Sequence, residues 1–201
     1  MYEPELTDWV TNNVRPNMVF VDVGAAQGYY TLLAAGLARQ VIAFEPDVEL
    51  YEKLLDVVSQ RHLWNVTVVP LALFSKRTSG RMGVSPDEFL PGDGDVVAIT
   101  LDEYLGGRRV DIIKIDVEGA EVDVLLGAQE TLAQWGPTLL IEVHHAIRHF
   151  GRTVADLENI LADAGYEWQG LNFDCTVSQI VERMDTEHIW GRHLIAWTTR
   201  T

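Results

Sequence analysis

The chain has 201 residues, of which 47% are hydrophobic, and 30 Asp and Glu face 15 Lys and Arg, for a formal net charge of −15. That size suits one domain with a sizeable core and leaves no room for a separate substrate domain. Such acidity opposes binding to polyphosphate backbones and anionic membrane surfaces, so neither nucleic acid nor a membrane is expected as a partner, and the charge itself serves solubility.

Leu6, Trp9, Val10 and Val14 recur at helical spacing after Pro4 and stop at Arg15-Pro16-Asn17, which predicts a short packing helix within residues 1–17. No basic-then-apolar leader opens the sequence and Cys175 stands alone, so a cytoplasmic protein without an intrachain disulfide is expected. Val19 to Val23 is a strand of the kind covered on both faces. Gly24 and Gly28 bracket the turn that follows it, with Ala25 between them, and YYTLLAAGLA continues as a helix. A second apolar run ends in Phe44-Glu45-Pro46.

Strand, glycine turn, helix and parallel strand make a nucleotide-binding half of a doubly wound sheet. The turn is G-x-x-x-G, not the dinucleotide fingerprint, and Asp22 before it would repel a pyrophosphate. A cationic ligand fits better. Glu45, at the end of the second strand, stands where a carboxylate accepts hydrogen bonds from ribose hydroxyls.

Asp47 is a plausible N-cap for a helix carrying Tyr51, Leu54, Leu55 and Val58, and Val66 to Val69 is the third strand. Pro70-Leu71-Ala72 then runs beside the ligand crevice, where Ala72 is a candidate to flank an adenine ring. Lys76 to Gly80 suggests a turn, Arg81 to Val84 a short edge strand, Ser85 to Asp95 an exposed loop, Val96 to Thr100 a further apolar segment and Leu101 to Leu105 one helical turn.

The stretch from Asp111 to Pro137 is the second decisive one. Ile112 to Ile115 is a buried-type strand interrupted by Lys114, whose ammonium demands an acidic partner, with Asp116 and Glu142 as candidates. Asp116 and Glu118 lie on the turn into a helix with Val122, Leu125, Leu126 and Leu132 inside, and Glu121 is explained by capping that helix. Thr138 to Val143 is a fifth inner strand. Period-two geometry sets Glu142 and His144 on one face, and an imidazole there can accept a proton from a hydroxyl. Thr153 to Asp156 forms a capping box for a last helix, which Gly165 ends, and Tyr166 to Leu171 and Ile189 to Thr198 are an antiparallel pair. Asn172 to His188 and the loop from His145 to Arg152 are candidates for substrate contacts.

DVGAAQGYY at Asp22 to Tyr30, AFEP at Ala43 to Pro46, NVTVVPLAL at Asn65 to Leu73, TLDEYL at Thr100 to Leu105, DIIKIDVEGAE at Asp111 to Glu121 and LLIEVH at Leu139 to His144 together resemble FkbM-type methyltransferases. These are a branch of the class I S-adenosylmethionine-dependent enzymes. The resemblance covers residues 18–145, the cofactor-binding and catalytic core; residues 146–201 would supply a helix, a strand pair and substrate loops. The N-terminal region is short for the family. The resemblance implies an α/β Rossmann-like fold with a mostly parallel seven-stranded sheet and an antiparallel last strand. It further implies O-methylation of a small-molecule, sugar or lipid-linked hydroxyl. Asp22, Gly24, Ala25, Gly28, Glu45, Pro46, Ala72 and Asp116 would hold S-adenosylmethionine. Asp116, Glu118 and His144 would orient or deprotonate the acceptor, with Lys114 and Glu142 behind them.

Three other readings compete. Asp116, Glu118, Glu142 and His144 are compatible with Mg²⁺ or Mn²⁺, but their spacing matches no dedicated metal motif, so no metal site is assigned. A non-catalytic cofactor-binding scaffold could use the same fold. A short-chain dehydrogenase would need a Tyr-x-x-x-Lys pairing that the second half lacks.

Overall fold

A computed structural model describes residues 3–83, 89–171 and 191–198. The apolar runs become the middle of one sheet. β1 (Val19–Val23), buried at every position, lies between β2 (Gln40–Phe44) and β8 (Ile112–Ile115) and is parallel to both. β3 (Val66–Val69) extends the sheet beyond β2, and β9 (Thr138–His144) extends it beyond β8, again in parallel. β11 (Gly191–Thr198) joins β9 antiparallel and pairs antiparallel with β10 (Tyr166–Gly170) at the edge. The seven strands run β10-β11-β9-β8-β1-β2-β3. The mostly parallel sheet and the antiparallel pair expected from sequence are both present.

Helices cover both faces because parallel strands need crossovers. Val19, Val21 and Val23 of β1 belong to one core, shared with α5 (Glu121–Leu126), α6 (Gln129–Trp135) and α7 (Val154–Asp163); Phe20 belongs to another, shared with α1 (Pro4–Asn13) and α2 (Tyr29–Ala35). α1 buries Leu6 and Val10 there, as its spacing predicts. α3 (Val48–Gln60) starts at Asp47, whose carboxylate accepts from Leu50 N, and α7 starts at the expected Thr153–Asp156 capping box.

Local departures from the sequence reading have identifiable causes. The helix expected from Glu121 through Leu132 is two, the first ending at Gly127, where the backbone passes so close to Phe74 that a Cβ would lie 2.2 Å from the Phe74 carbonyl oxygen. Asp102 of α4 (Leu101–Leu105) then caps α6 by accepting from the Glu130 and Thr131 amides. The region after β3 is more ordered than its turn-rich composition suggests. β4 (Ala72–Leu73), β5 (Thr78–Met82), β6 (Phe89–Pro91) and β7 (Val96–Ile99) form a second sheet in the order β4-β7-β5-β6. The expected turn at Lys76–Gly80 and exposed loop at Ser85–Asp95 therefore contain strands, with Phe89 buried against Phe74. Gly80 and Gly94 approach so closely that composition alone is misleading there. His145–Phe150 is a 3₁₀ turn. Cys175 and the candidate substrate segment Asn172–His188 lie outside the described residues. Among the described residues no helix is long and apolar enough to cross a membrane.

Candidate active site

The carboxyl ends of β1, β2, β8 and β9 converge, and their sequence signals meet there. After β1 the chain turns so tightly that the Gly24 and Ala25 amides both donate to the Phe44 carbonyl at 3.0 Å. Gly24 has φ +76°, and a Cβ on it would sit 1.8 Å from the Asp116 carbonyl oxygen, so only glycine fits. Gly28, at φ +81°, opens α2, and a side chain there would strike Leu54. Glu45 is buried and ties the two strand ends together: its carboxylate accepts from the Ala26 amide at 2.7 Å and from the Asp47 amide at 2.8 Å.

Two hollows flank Gly24. One is a narrow, mainly apolar slot bounded by Phe44, Glu45, Pro46, Ala72 and Phe89. The other is a cleft of ≈ 300 Å³, lined by Gly24, Ala25, Gln27, Tyr30, Lys114 and Asp116. This volume is at the lower end of the range for small-ligand pockets. Glu45, Pro46 and Ala72 thus border the slot, Ala25 and Asp116 the cleft, and Gly24 both.

Beneath and beside the cleft runs a row of charged groups set by strand register. Asp22 pairs in register with Lys114 on the neighbouring parallel strand. Lys114 Nζ lies 3.5 Å from Asp22 Oδ1, donates to Asp116 Oδ2 at 3.1 Å, and stands 5.2 Å from the centre of the Tyr30 ring. Burial works against the ammonium, but Asp116 and Asp22 outweigh it and move its pKa upward. Of the two partners expected for Lys114, Asp116 makes the contact; Glu142 adds only field at longer range, and Asp22 was not foreseen. Asp22 is wholly buried under the cleft, not on its wall. Its other oxygen accepts from Thr31 at 2.6 Å, and burial raises its pKa against the pull of Lys114.

At the end of β9, Glu142 and His144 do share a face, and both look toward the turn after β8. His144 Nε2 lies 3.6 Å from Glu142 Oε1, 3.7 Å from Asp116 Oδ1 and 3.8 Å from Glu118 Oε1. Its Nδ1 sits 2.7 Å from Glu121 Oε1. Glu121 is fully buried and also accepts from the Gly119 amide, so the capping role expected for it is too small: it orients the imidazole. Burial opposes a charge on His144, yet the Glu121 hydrogen bond and the fields of Glu121, Asp116 and Glu142 hold its pKa up to about 10. The imidazole therefore already carries its proton at neutral pH in the unliganded chain, and donates rather than accepts, contrary to the expectation from sequence.

The sequence reading also missed Glu3 and His193. Antiparallel pairing sets His193 of β11 against Glu142, and its Nε2 lies 3.4 Å from Oε2 of both Glu142 and Glu3. Glu3 further accepts from the Tyr30 hydroxyl at 2.6 Å. Although burial alone would raise it, contacts with His193 and Tyr30 bring the Glu3 pKa down to about 2; the two carboxylates hold His193 at about 9 against its own burial. No spacing rule could reveal this group, because its members come from the start, middle and end of the chain.

The family model for the methyltransferase FkbM domain matches residues 22–168. No curated protein sequence matches the chain. Among solved structures, a methyltransferase FkbM from Methylobacillus flagellatus KT aligns with a TM-score of 0.65 at 20% identity, over 92% of this chain and 44% of that one. The chain thus spans less than half the length of that relative. An rRNA methylase from Streptococcus thermophilus aligns with a TM-score of 0.60 at 13% identity, over 100% of this chain and 99% of that one. SMU.1697c from Streptococcus mutans, solved in complex with SAH, aligns with a TM-score of 0.57 at 14% identity, over 98% of each chain. At these identities the solved structures share the fold.

Proposed function

The chain belongs to the FkbM methyltransferase family, and from that premise we propose that it methylates a hydroxyl oxygen of a small-molecule, glycan or lipid-linked acceptor with S-adenosylmethionine as donor. The residues present fit that donor. The cleft of ≈ 300 Å³ offers Asp116 and Lys114 as a matched pair for an amino-acid portion that carries both charges, and the apolar slot beside Glu45, Pro46 and Ala72, only ≈ 20 Å³ as it stands, would have to widen to take a nucleoside. The donor, when bound, supplies an electrophilic methyl group on a positively charged sulfur, so the protein needs mainly to align the acceptor and take away a proton.

The observation that carries this reading is the position of Asp116, which lines the cleft and at the same time faces His144 and Lys114. Gly24, Ala25 and Gly28 shape the turn, Glu45 holds it to β2, and Asp22 acts from below by fixing Lys114. Methyl transfer makes the attacked hydroxyl strongly acidic, and a carboxylate, Asp116 or the half-exposed Glu118, is then a sufficient acceptor for its proton. His144 faces these carboxylates across 3.7–3.8 Å, its ring held by Glu121. The net charge of −15 favours an acceptor without a polyphosphate backbone, even though rRNA methylases share the fold.

Calorimetric titration with S-adenosylmethionine tests the first half of the proposal. Binding should weaken roughly 10- to 150-fold in Glu45→Ala, corresponding to about 1.5–3 kcal/mol for a charged acceptor whose loss also frees the Ala26 and Asp47 amides that shape the turn. A screen with methyl-labelled donor over hydroxylated acceptors tests the second half. An absence of donor binding by the folded chain would overturn the proposal, as would transfer confined to RNA.

A further inference from the structure

We propose that Asp116, Glu142 and the Nε2 atom of His144, with Glu118 at the mouth, form a binding site for one hard divalent cation, Mn²⁺ or Mg²⁺, beside the donor cleft. The candidate ligand atoms of Asp116, Glu142 and His144 all lie within 4.8 Å of one another. The separations of 3.6–3.8 Å from His144 Nε2 to three carboxylate oxygens are too long for hydrogen bonds. They are the separations expected of ligands around one ion: at about 2.1 Å from an octahedral ion, neighbouring ligands lie about 3 Å apart and opposite ones about 4.2 Å.

The second, independent observation is how the imidazole is held. His144 is only 4% exposed, and its Nδ1 is fixed by Glu121, which is wholly buried. Its Nε2, making no hydrogen bond, therefore points into the gap between the three carboxylates. A carboxylate behind an imidazole is the arrangement that fixes tautomer and ring orientation in metal-ligating histidines. Charge points the same way. Six carboxyl groups, those of Glu3, Asp22, Asp116, Glu118, Glu121 and Glu142, gather around Lys114, His144 and His193, an acidic setting in which a divalent cation is held favourably. An ion in the gap takes the place of the Nε2 proton.

Two carboxylates and one imidazole, with Glu118 close by and no thiolate, select an oxygen-preferring ion rather than a tetrahedral zinc centre. Asp116 is shared between cleft and gap, so the ion would hold an acceptor oxygen next to the reacting methyl group. That role rests on the methyl-transfer reading; the binding itself does not.

Electron paramagnetic resonance of Mn²⁺ added to the full chain reads binding directly, because the signal of the free aqueous ion falls as it is captured. The expected result is one Mn²⁺ per chain, displaced by excess Mg²⁺, with at least 10-fold weaker binding in Glu142→Gln. Glu121→Gln, which disturbs only the support of the ring, should weaken binding about 10- to 100-fold. Glu118→Gln, at the half-exposed mouth, gives a variant whose fold is not in question, and melting curves monitor the other two. An unchanged free-ion signal at millimolar Mn²⁺ would overturn the proposal. So would folded Glu142→Gln and Glu118→Gln variants that capture the ion as tightly as the parent chain. Donor calorimetry run in parallel separates the two ideas: donor binding without ion capture sinks only the cation site, and ion capture without donor binding sinks only the methyl-transfer reading.

Discussion

Replacing Lys114 by Met removes one charge from the middle of the site and barely changes its volume. The ammonium is almost wholly buried, with Asp22 and Asp116 at 3.5 and 3.1 Å. Asp116 reaches the cleft and can be rehydrated once the ammonium is gone, whereas Asp22 is sealed beneath β1 and α2 with only Thr31 left to donate to it. Breaking a buried pair in this way costs about 3–5 kcal/mol. Asp22 can escape by taking up a proton, and moving a carboxyl with an ordinary pKa near 4 into its neutral form at pH 7 costs about 4 kcal/mol, which sets the ceiling. The expected loss is therefore about 3–4 kcal/mol, measured by urea unfolding at pH 7. The sign with pH follows: a carboxyl whose folded-state pKa is raised stabilises the fold most at low pH, so Lys114→Met should recover stability as pH falls. Adding Asp22→Asn should restore about 2 kcal/mol, a coupling within the range for groups in contact. A loss under about 1 kcal/mol in the single variant, with no steeper pH dependence than the parent, would refute the idea that the ammonium neutralises Asp22.

Gly24→Ala should abolish measurable donor binding in calorimetry and lower the melting temperature, because the new Cβ would fall 1.8 Å from a backbone oxygen at φ +76°. Retained affinity would place the ligand away from this turn. Glu3, brought down to about 2 from an ordinary 4.5, contributes stability that is fully present above about pH 4.5 and is lost as pH falls toward 2. Glu3→Gln should flatten the stability profile in that window and also between about pH 6.5 and 9, where His193 loses part of what holds its proton. His144→Ala should cut turnover while leaving donor affinity nearly intact, since the imidazole faces Asp116 and Glu118 and is not in the cleft wall; equal loss of both would make the residue structural.

What was legible in the sequence is what local chemistry dictates. The run VFVDVG announces a strand buried on both faces and a glycine turn, and both hold because β-branching and positive φ are properties of single residues. Period-two geometry correctly placed Glu142 and His144 on one side of β9. Legibility ended where a residue's role is set by a neighbour distant in the chain. Glu121 has every local mark of a helix-capping acid, and only the fold reveals that its carboxylate supports an imidazole 23 positions later. The close approach at Gly127 is to Phe74, just after β4 of the second sheet, a sheet that the composition of residues 76–95 disguised as turn and loop.

The same distinction explains why the charged row could be misjudged. Asp22 looked from sequence like a ligand-facing acid because it is the last polar residue before the turn. In the fold, alternation along β1 sends its side chain down toward Thr31 and Lys114, while the backbone just beyond it forms the rim of the cleft. Its chemistry therefore reaches the cleft through Lys114, which stands between it and Asp116. Seen this way, Lys114 is what allows two acids on adjacent strand ends to coexist: it neutralises the buried one and leaves Asp116 facing outward, toward His144 and the open cleft. A buried acid beneath a strand end and a cleft-facing acid on the next strand are then two halves of one device, and their order along the chain follows from parallel register alone.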